Sequence, residues 1–145
     1  MTRFILDASV ALCWYFEDQK TAYTEAVFER LARGDEALVP VVWPLEVLNS
    51  LVVAARQKSI TAAQLETFVD DLKELPVEVD LEGVERTYSS ILRISRQHQL
   101  SSYAAAYLDL ALVEGLPLAT LDKNLRAAAK RSRIELFMLT KTTQS

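Results

Sequence analysis

The feature that most constrains this chain is an alternation. Short apolar runs, each too short to make a buried helix, are separated by longer stretches whose apolar residues recur at steps of three and four. Strand-like runs lie at about Arg3 to Leu6, Ala37 to Val39, Val77 to Val79, Leu118 to Thr120 and Ile134 to Met138. Helix-like stretches lie at about residues 8–16, 20–33, 43–57, 61–74, 82–97, 101–114 and 123–131. Strands that alternate with helices predict an α/β fold with a mainly parallel sheet of about five strands. The third helix shows the pattern: Leu45, Leu48, Leu51, Val52 and Ala55 draw one apolar stripe, and Glu46 and Asn49 occupy a neighbouring face. Punctuation agrees, with Gly34 after the second helix, Thr61 and Ser101 ahead of the fourth and sixth, and Gly115-Leu116-Pro117 closing the sixth. Half of the 145 residues are hydrophobic, which suits one core, so a single domain is expected over residues 1–140, followed by a frayed polar tail at 141–145.

Several function classes are disfavoured. No run approaches the roughly 18 apolar residues of a membrane span, and no secretory leader pattern opens the chain, so a cytoplasmic protein with no membrane partner is expected. The one cysteine, Cys13, lies among apolar neighbours and reads as a buried, inert thiol. The one histidine, His98, lies in the polar stretch Arg96-Gln97-His98-Gln99 and reads as a solvated loop residue. With single copies of each and no G-x-S-x-G turn, a nucleophilic triad is improbable. Net charge is −4, yet residues 1–80 carry seven Lys/Arg against fourteen Asp/Glu while residues 81–145 carry nine against six. A polyanion would therefore meet the second half, where Lys123, Arg126, Lys130, Arg131 and Arg133 group around one helix.

In a parallel α/β sheet ligands gather beyond the carboxyl ends of the strands, so acids placed there outrank acids elsewhere. Asp7 ends the first strand and Asp122 follows the fourth; either alone reads equally as a helix N-cap. Glu46 shifts the balance. It follows the second strand and Trp43-Pro44, and sits within Leu45-Glu46-Val47-Leu48, where a charge near apolar surface needs a reason. Three converging carboxylates would repel unless a cation or protons neutralised them, and at neutral pH a hard cation is the cheaper solution. Mg²⁺ or Mn²⁺ suits carboxylate and water ligands, and its charge would let an acidic protein accept a phosphate backbone.

Four segments in series carry a family resemblance: Phe4-Ile5-Leu6-Asp7-Ala8-Ser9, Pro44-Leu45-Glu46-Val47-Leu48-Asn49, the helix from Leu100 to Leu112, and Leu118-Ala119-Thr120-Leu121-Asp122-Lys123-Asn124-Leu125. In order and spacing they resemble the PIN-domain family, over about residues 3–138, and the small size resembles the VapC toxins of bacterial toxin–antitoxin pairs. The resemblance implies a three-layer α/β/α sandwich and an Mg²⁺-dependent endoribonuclease site made of Asp7, Glu46, a third acid and Asp122, all metal ligands. Ser9, Asn49 and Thr120 match its supporting polar positions, and Lys123, Arg126 and Lys130 would hold flanking RNA phosphates. It also implies a transfer or ribosomal RNA substrate, a homodimer, and a cognate VapB-like antitoxin whose tail covers a hydrophobic groove near the acids.

The chain departs from the family at one place. The third acid belongs to a segment of the form Tyr-Asp-Ala-Ala-Tyr, which here reads Tyr103-Ala104-Ala105-Ala106-Tyr107. Asp109 cannot substitute, because five residues at about 100° each put it roughly 140° round the helix. Ala104 is read as an acid replaced so as to disarm the nuclease, with natural divergence as the other explanation. The expectation is a ribonuclease weakened or inactivated at this position; the alternative is a dead PIN module that binds RNA or an antitoxin without cutting. A phosphoacceptor receiver domain is disfavoured, because Asp7 is followed by Ala8-Ser9 rather than a second acid and Asp80 lacks support.

Overall fold

The computed structural model describes residues 2–139. Its strands β1 (Arg3–Leu6), β2 (Glu36–Pro40), β3 (Val77–Asp80) and β4 (Leu118–Ala119) form one sheet in the order β3-β2-β1-β4, with every pair parallel. Its helices are α1 (Ala8–Cys13), α2 (Ala22–Ala32), α3 (Val42–Arg56), α4 (Ala62–Glu74), α5 (Leu92–His98), α6 (Ser102–Glu114) and α7 (Lys123–Arg131). Helix α1 packs on α2 and α3, and α3 on α4, whereas α6 crosses β1 and β2 with α5 and α7 beside it. The result is a three-layer α/β/α sandwich.

Burial explains the strand sequences. Phe4, Ile5 and Leu6 of β1 and Ala37, Leu38 and Val39 of β2 are all buried, as central parallel strands covered on both faces require. Strand β3 lies at the edge and instead alternates half-buried Val77 and Val79 with exposed Glu78, which Arg3 of β1 ties down at 2.8 Å. Helix α6 ends at Gly115, whose φ of 65° lets the chain turn back into β4.

Three expectations need correction. The sheet has four strands rather than about five, because the segment 134–138 makes only a single parallel bridge, Leu118 to Leu136. Strand β4 is two residues long and cannot template a longer partner, and the segment is bounded by Arg133 and Met138 at positive φ. The first helix stops at Cys13 instead of continuing to residue 16 through Trp14-Tyr15-Phe16, and a 3₁₀ turn follows at Glu17–Gln19. The stretch 82–97 is not one α-helix: it begins as 3₁₀ over Glu82–Arg86, widens to a π turn over Thr87–Ile91 and becomes α only in α5. The residues 141–145 expected to fray lie outside the described ones.

Candidate active site

The chain runs from β1 outward to β2 and β3, then returns to place β4 on the other side of β1. The loops leaving β1 and β4 therefore diverge, and the crevice between their carboxyl ends is the place where doubly wound sheets bind ligands. Asp7 and Asp122 flank it. The register pairs Leu6 with Ala119, and the Asp7 amide donates to Ala119 O at 2.9 Å, so Asp7 stands one step beyond the ladder.

The two aspartates differ in what they do. Asp122 is a working N-cap, its Oδ1 accepting from the amides of Asn124 (2.8 Å) and Leu125 (3.1 Å). Asp7 occupies the N-cap position of α1 but makes no side-chain cap bond. Its Oδ2 instead accepts from Thr120 Oγ1 at 2.6 Å and Ser9 Oγ at 2.7 Å. Each hydroxyl spends its one proton on Asp7 and then accepts a backbone N–H: Thr120 from Asp122 (3.0 Å) and Ser9 from Leu121 (3.1 Å). Two hydroxyl bridges thus sew the loop after β4 to the carboxylate after β1.

Asp7 is only 8% exposed. The other buried acids have a cation: Asp35 pairs with Arg30 at 2.6 Å and Asp109 with Arg86 at 2.8 Å. Asp7 has no Lys or Arg partner among the described residues. Burial raises its pKa, the bonds from Thr120 and Ser9 oppose that, and the charge of Asp122 raises it again. Glu46, in the second turn of α3, is half-buried and is also shifted upward, first by burial and further by Asp7, with the Tyr107 bond opposing. Its Oε1 accepts from the hydroxyl of Tyr107 on α6 at 2.6 Å. Tyr107, 1% exposed, is pushed far up by burial and by both Asp7 and Glu46, so its hydroxyl stays a donor. Asp7, Glu46 and Asp122 therefore share one electrostatic neighbourhood with two of the three expected supporting residues. The third, Asn49, is exposed one turn beyond Glu46, and its side chain makes no hydrogen bond among the described residues.

Carboxylate oxygens of this kind suit a hard divalent cation. In spacing they fall short: among the described residues no three His, Cys, Asp or Glu side chains gather closely enough to hold an ion. Ala104 is half-buried in the first turn of α6 and three residues before Tyr107, so a longer side chain there would project to the side where Tyr107 meets Glu46. Ser101, a potential substitute, is spent capping the Ala104 amide at 3.0 Å. Asp109 points elsewhere, held by Arg86 and Ser90 at 2% exposure. Asp80 accepts from the Gly83 amide at 3.0 Å and faces Arg86 at 3.6 Å, which is structural work and leaves the receiver-domain reading without its phosphoacceptor.

The remaining candidates divide. Lys123 and Lys130 are exposed on α7, but Arg126 turns inward, its Nε donating to Thr120 O at 2.7 Å. Cys13 is a buried free thiol with its pKa raised by burial, as expected. His98 is not a loop residue: it ends α5, half-buried, with Arg131 Nη2 at 3.2 Å from its Nδ1. Trp14 is core, donates to Thr24 O at 2.7 Å, and with Tyr15, Phe16, Glu17, Ile60 and Phe68 lines a cleft. Sequence reasoning missed Tyr107 and the inward turn of Arg126. The second Tyr of the Tyr103 to Tyr107 segment was the available signal for the first, and nothing in the sequence signalled the second.

A model of the PIN domain matches residues 4–131. The chain belongs to the PIN domain family. No curated protein sequence matches it. Among solved structures, this PIN domain is similar to FitAcB from Neisseria gonorrhoeae, with a TM-score of 0.61 at 15% identity, covering 94% of this chain and 96% of that one. It is similar also to VapBC2 from Rickettsia felis, solved bound to a DNA fragment from their promoter (0.60, 16%, covering 93% and 97%). PAE2754 from Pyrobaculum aerophilum gives 0.57 at 22% identity, covering 88% and 86%. At these identities the likenesses establish the fold. Among the described residues of this PIN domain no helix is long and apolar enough to cross a membrane.

Proposed function

We propose that the chain is a VapC-like PIN ribonuclease whose metal centre consists of Asp7, Glu46 and Asp122 and is incomplete at Ala104. One observation carries this reading: Asp7 is buried and shifted toward its neutral form, has no cationic partner among the described residues, and lies beside two further acids at the topological switch point. Such a carboxylate is costly to keep unless a cation comes to it. Mg²⁺ or Mn²⁺, when bound, supplies an acidified water and neutralises charge on a phosphodiester. The chain's own residues do the positioning. Ser9 and Thr120 fix Asp7, Tyr107 fixes Glu46, and the capping bonds of Asp122 both fall on Oδ1, which leaves Oδ2 outside the cap.

Lys123 and Lys130 would hold phosphates flanking the cleaved bond, giving affinity with little sequence discrimination. A structured RNA such as transfer or ribosomal RNA is the substrate class the family resemblance supports. The fold likeness to VapBC2 and FitAcB supports a toxin–antitoxin setting with a VapB-like antitoxin in the cytoplasm. A second copy of the chain has exposed apolar side chains to cover, including Leu45, Leu81, Val84 and Tyr103, which supports a homodimer.

With a ligand missing, the chain as it stands binds metal weakly and cuts slowly or not at all, and in that state acts as a binding module. The test is Ala104→Asp, assayed on transfer and ribosomal RNA with Mg²⁺ and with EDTA. Cleavage that appears only in the Ala104→Asp variant, and only with metal, supports the reading. A variant that binds Mn²⁺ yet leaves every RNA intact removes it in favour of the dead module.

A further inference from the structure

Arg126 belongs by sequence to the basic face of α7, where an arginine reads as a phosphate grip. Its surroundings offer it another role. The side-chain Nε donates to Thr120 O at 2.7 Å, while its own backbone N–H donates to Asp122 O at 2.9 Å. The second of these is the i→i−4 bond that any residue at 126 would make as α7 begins; the side-chain bond alone is the clasp, tying α7 back to the start of the loop 120–122. The guanidinium carbon lies 5.5 Å from the Tyr23 ring centroid, and the Tyr23 hydroxyl donates to Phe137 O at 2.9 Å. The platform beneath the guanidinium is thus anchored.

What the clasp holds is the candidate site. Thr120 is 1% exposed and lies just past the last pair of the β1–β4 ladder, so its carbonyl has run out of strand partners and must be satisfied some other way. The same residue presents Oγ1 to Asp7, and the loop's other end is Asp122. We infer that Arg126 is a positioning residue: it holds the 120–122 loop in the geometry that sets both Asp7 and Asp122, and does not contact the RNA backbone. This rests on the reading of those two aspartates as metal-binding carboxylates. It assigns α7 two functions on two faces, with Lys123 outward and Arg126 inward.

Charge-conserving and charge-removing substitutions separate the two roles. Lysine keeps the positive charge but loses the planar fork that reaches a carbonyl while stacking on an aromatic ring. Arg126→Lys and Arg126→Gln are compared in the full chain by three measurements: amide hydrogen exchange at Leu121 and Asp122 without metal, Mn²⁺ affinity by electron paramagnetic resonance, and the salt dependence of transfer-RNA binding in EDTA. Positioning predicts that both variants exchange at least about tenfold faster at those two amides, with Val47 and Leu51 of α3 unchanged. It also predicts that both lose on the order of 10- to 100-fold in Mn²⁺ affinity, as loss of an outer-shell support does, and that both keep the parent's salt slope. The inference is overturned if Arg126→Lys matches the parent in exchange, or if Arg126→Gln flattens the slope by about 0.7 to 0.9, the value of one lost phosphate contact. A parent chain that binds no Mn²⁺ would sink the metal reading alone, because the metal-free exchange measurement still decides what Arg126 holds.

Discussion

Replacing Thr120 by Val keeps the volume of a side chain in the core and removes only its hydroxyl, so the cost measures the bridge between Asp7 and the loop after β4. Two bonds go. The first, 2.6 Å to Asp7 Oδ2, is charge-assisted and buried, worth about 1.5 to 3 kcal/mol. The second leaves the Asp122 amide without its acceptor; Asp122 is exposed, water replaces the hydroxyl, and the added cost stays below about 1 kcal/mol. The sum is about 1.5 to 4 kcal/mol, a sizeable part of the roughly 5 to 15 kcal/mol of a typical domain. In urea titration followed by fluorescence of Trp14 and Trp43, both buried, that moves the midpoint down by roughly 1 to 2 M. The bond favours the ionised form of Asp7, so the loss must be larger at neutral pH than in acid, where Asp7 is protonated in both variants. Ser9→Ala removes the twin bridge, and because both serve one oxygen the double variant departs from additivity. A loss under about 0.5 kcal/mol, or one independent of pH, refutes the bridge.

Asp7→Asn tests the uncompensated charge. The folded-state pKa of Asp7 lies above its unfolded value, so folding binds the proton more tightly, and stability is fully present below the unfolded value near 3.9 and lost as pH rises through the folded one. In EDTA the Asn variant must therefore gain melting temperature over the parent as pH rises from about 4 toward 8, and Mn²⁺ must shift the comparison back toward the parent; a difference flat with pH counts against the reading. Asp109→Ala leaves the Arg86 guanidinium without its main partner and costs about 3 kcal/mol, somewhat less if Asp80 at 3.6 Å takes over, while Mn²⁺ affinity stays at the parent value. A large fall in that affinity would mean that Asp109 belongs to the site after all. Tyr107→Phe in the Ala104→Asp background removes the donor to Glu46 and should lower Mn²⁺ affinity about tenfold or more, read by electron paramagnetic resonance, with the fold intact by circular dichroism.

The parallel sheet was readable because β1 and β2 are buried on both faces and therefore spell unbroken apolar runs, Phe4-Ile5-Leu6 and Ala37-Leu38-Val39. The helices with capped ends, α4 behind Thr61 and α6 between Ser101 and Gly115, fall within a residue of their expected limits. The misplaced elements share a cause. The segment 134–138 has the composition of a strand, but strand pairing needs a partner of matching length, and β4 offers two residues. The stretch 82–97 has helical period, yet the hydrogen bonds from Arg86 and Ser90 to Asp109 pull its first turns off the α path, and that buried charge comes from a helix 23 residues away in sequence from Arg86. Neither constraint is written in the local sequence.

The candidate site divides along the same line. Asp7, Glu46 and Asp122 were legible because each stands at a strand end or an early helix turn where an acid is conspicuous, and because parallel topology makes strand ends meet. The strand order adds something the residues could not: β4 lies next to β1, so the two aspartates flank one crevice, while Asp80, equally well placed at the end of β3, is carried two strands away and consumed by Gly83 and Arg86. Capping was the open alternative for Asp7 and Asp122 alike, and only side-chain geometry separates them, since Asp122 caps and Asp7 does not. The same geometry removes Arg126 from the basic face. A helix begun by a candidate site carboxylate must be held in register with the strand it follows, and a long, always-charged side chain one turn on can reach back to the carbonyl just past that strand. Composition assigns such an arginine to the solvent; the hydrogen bond to Thr120 assigns it to the site.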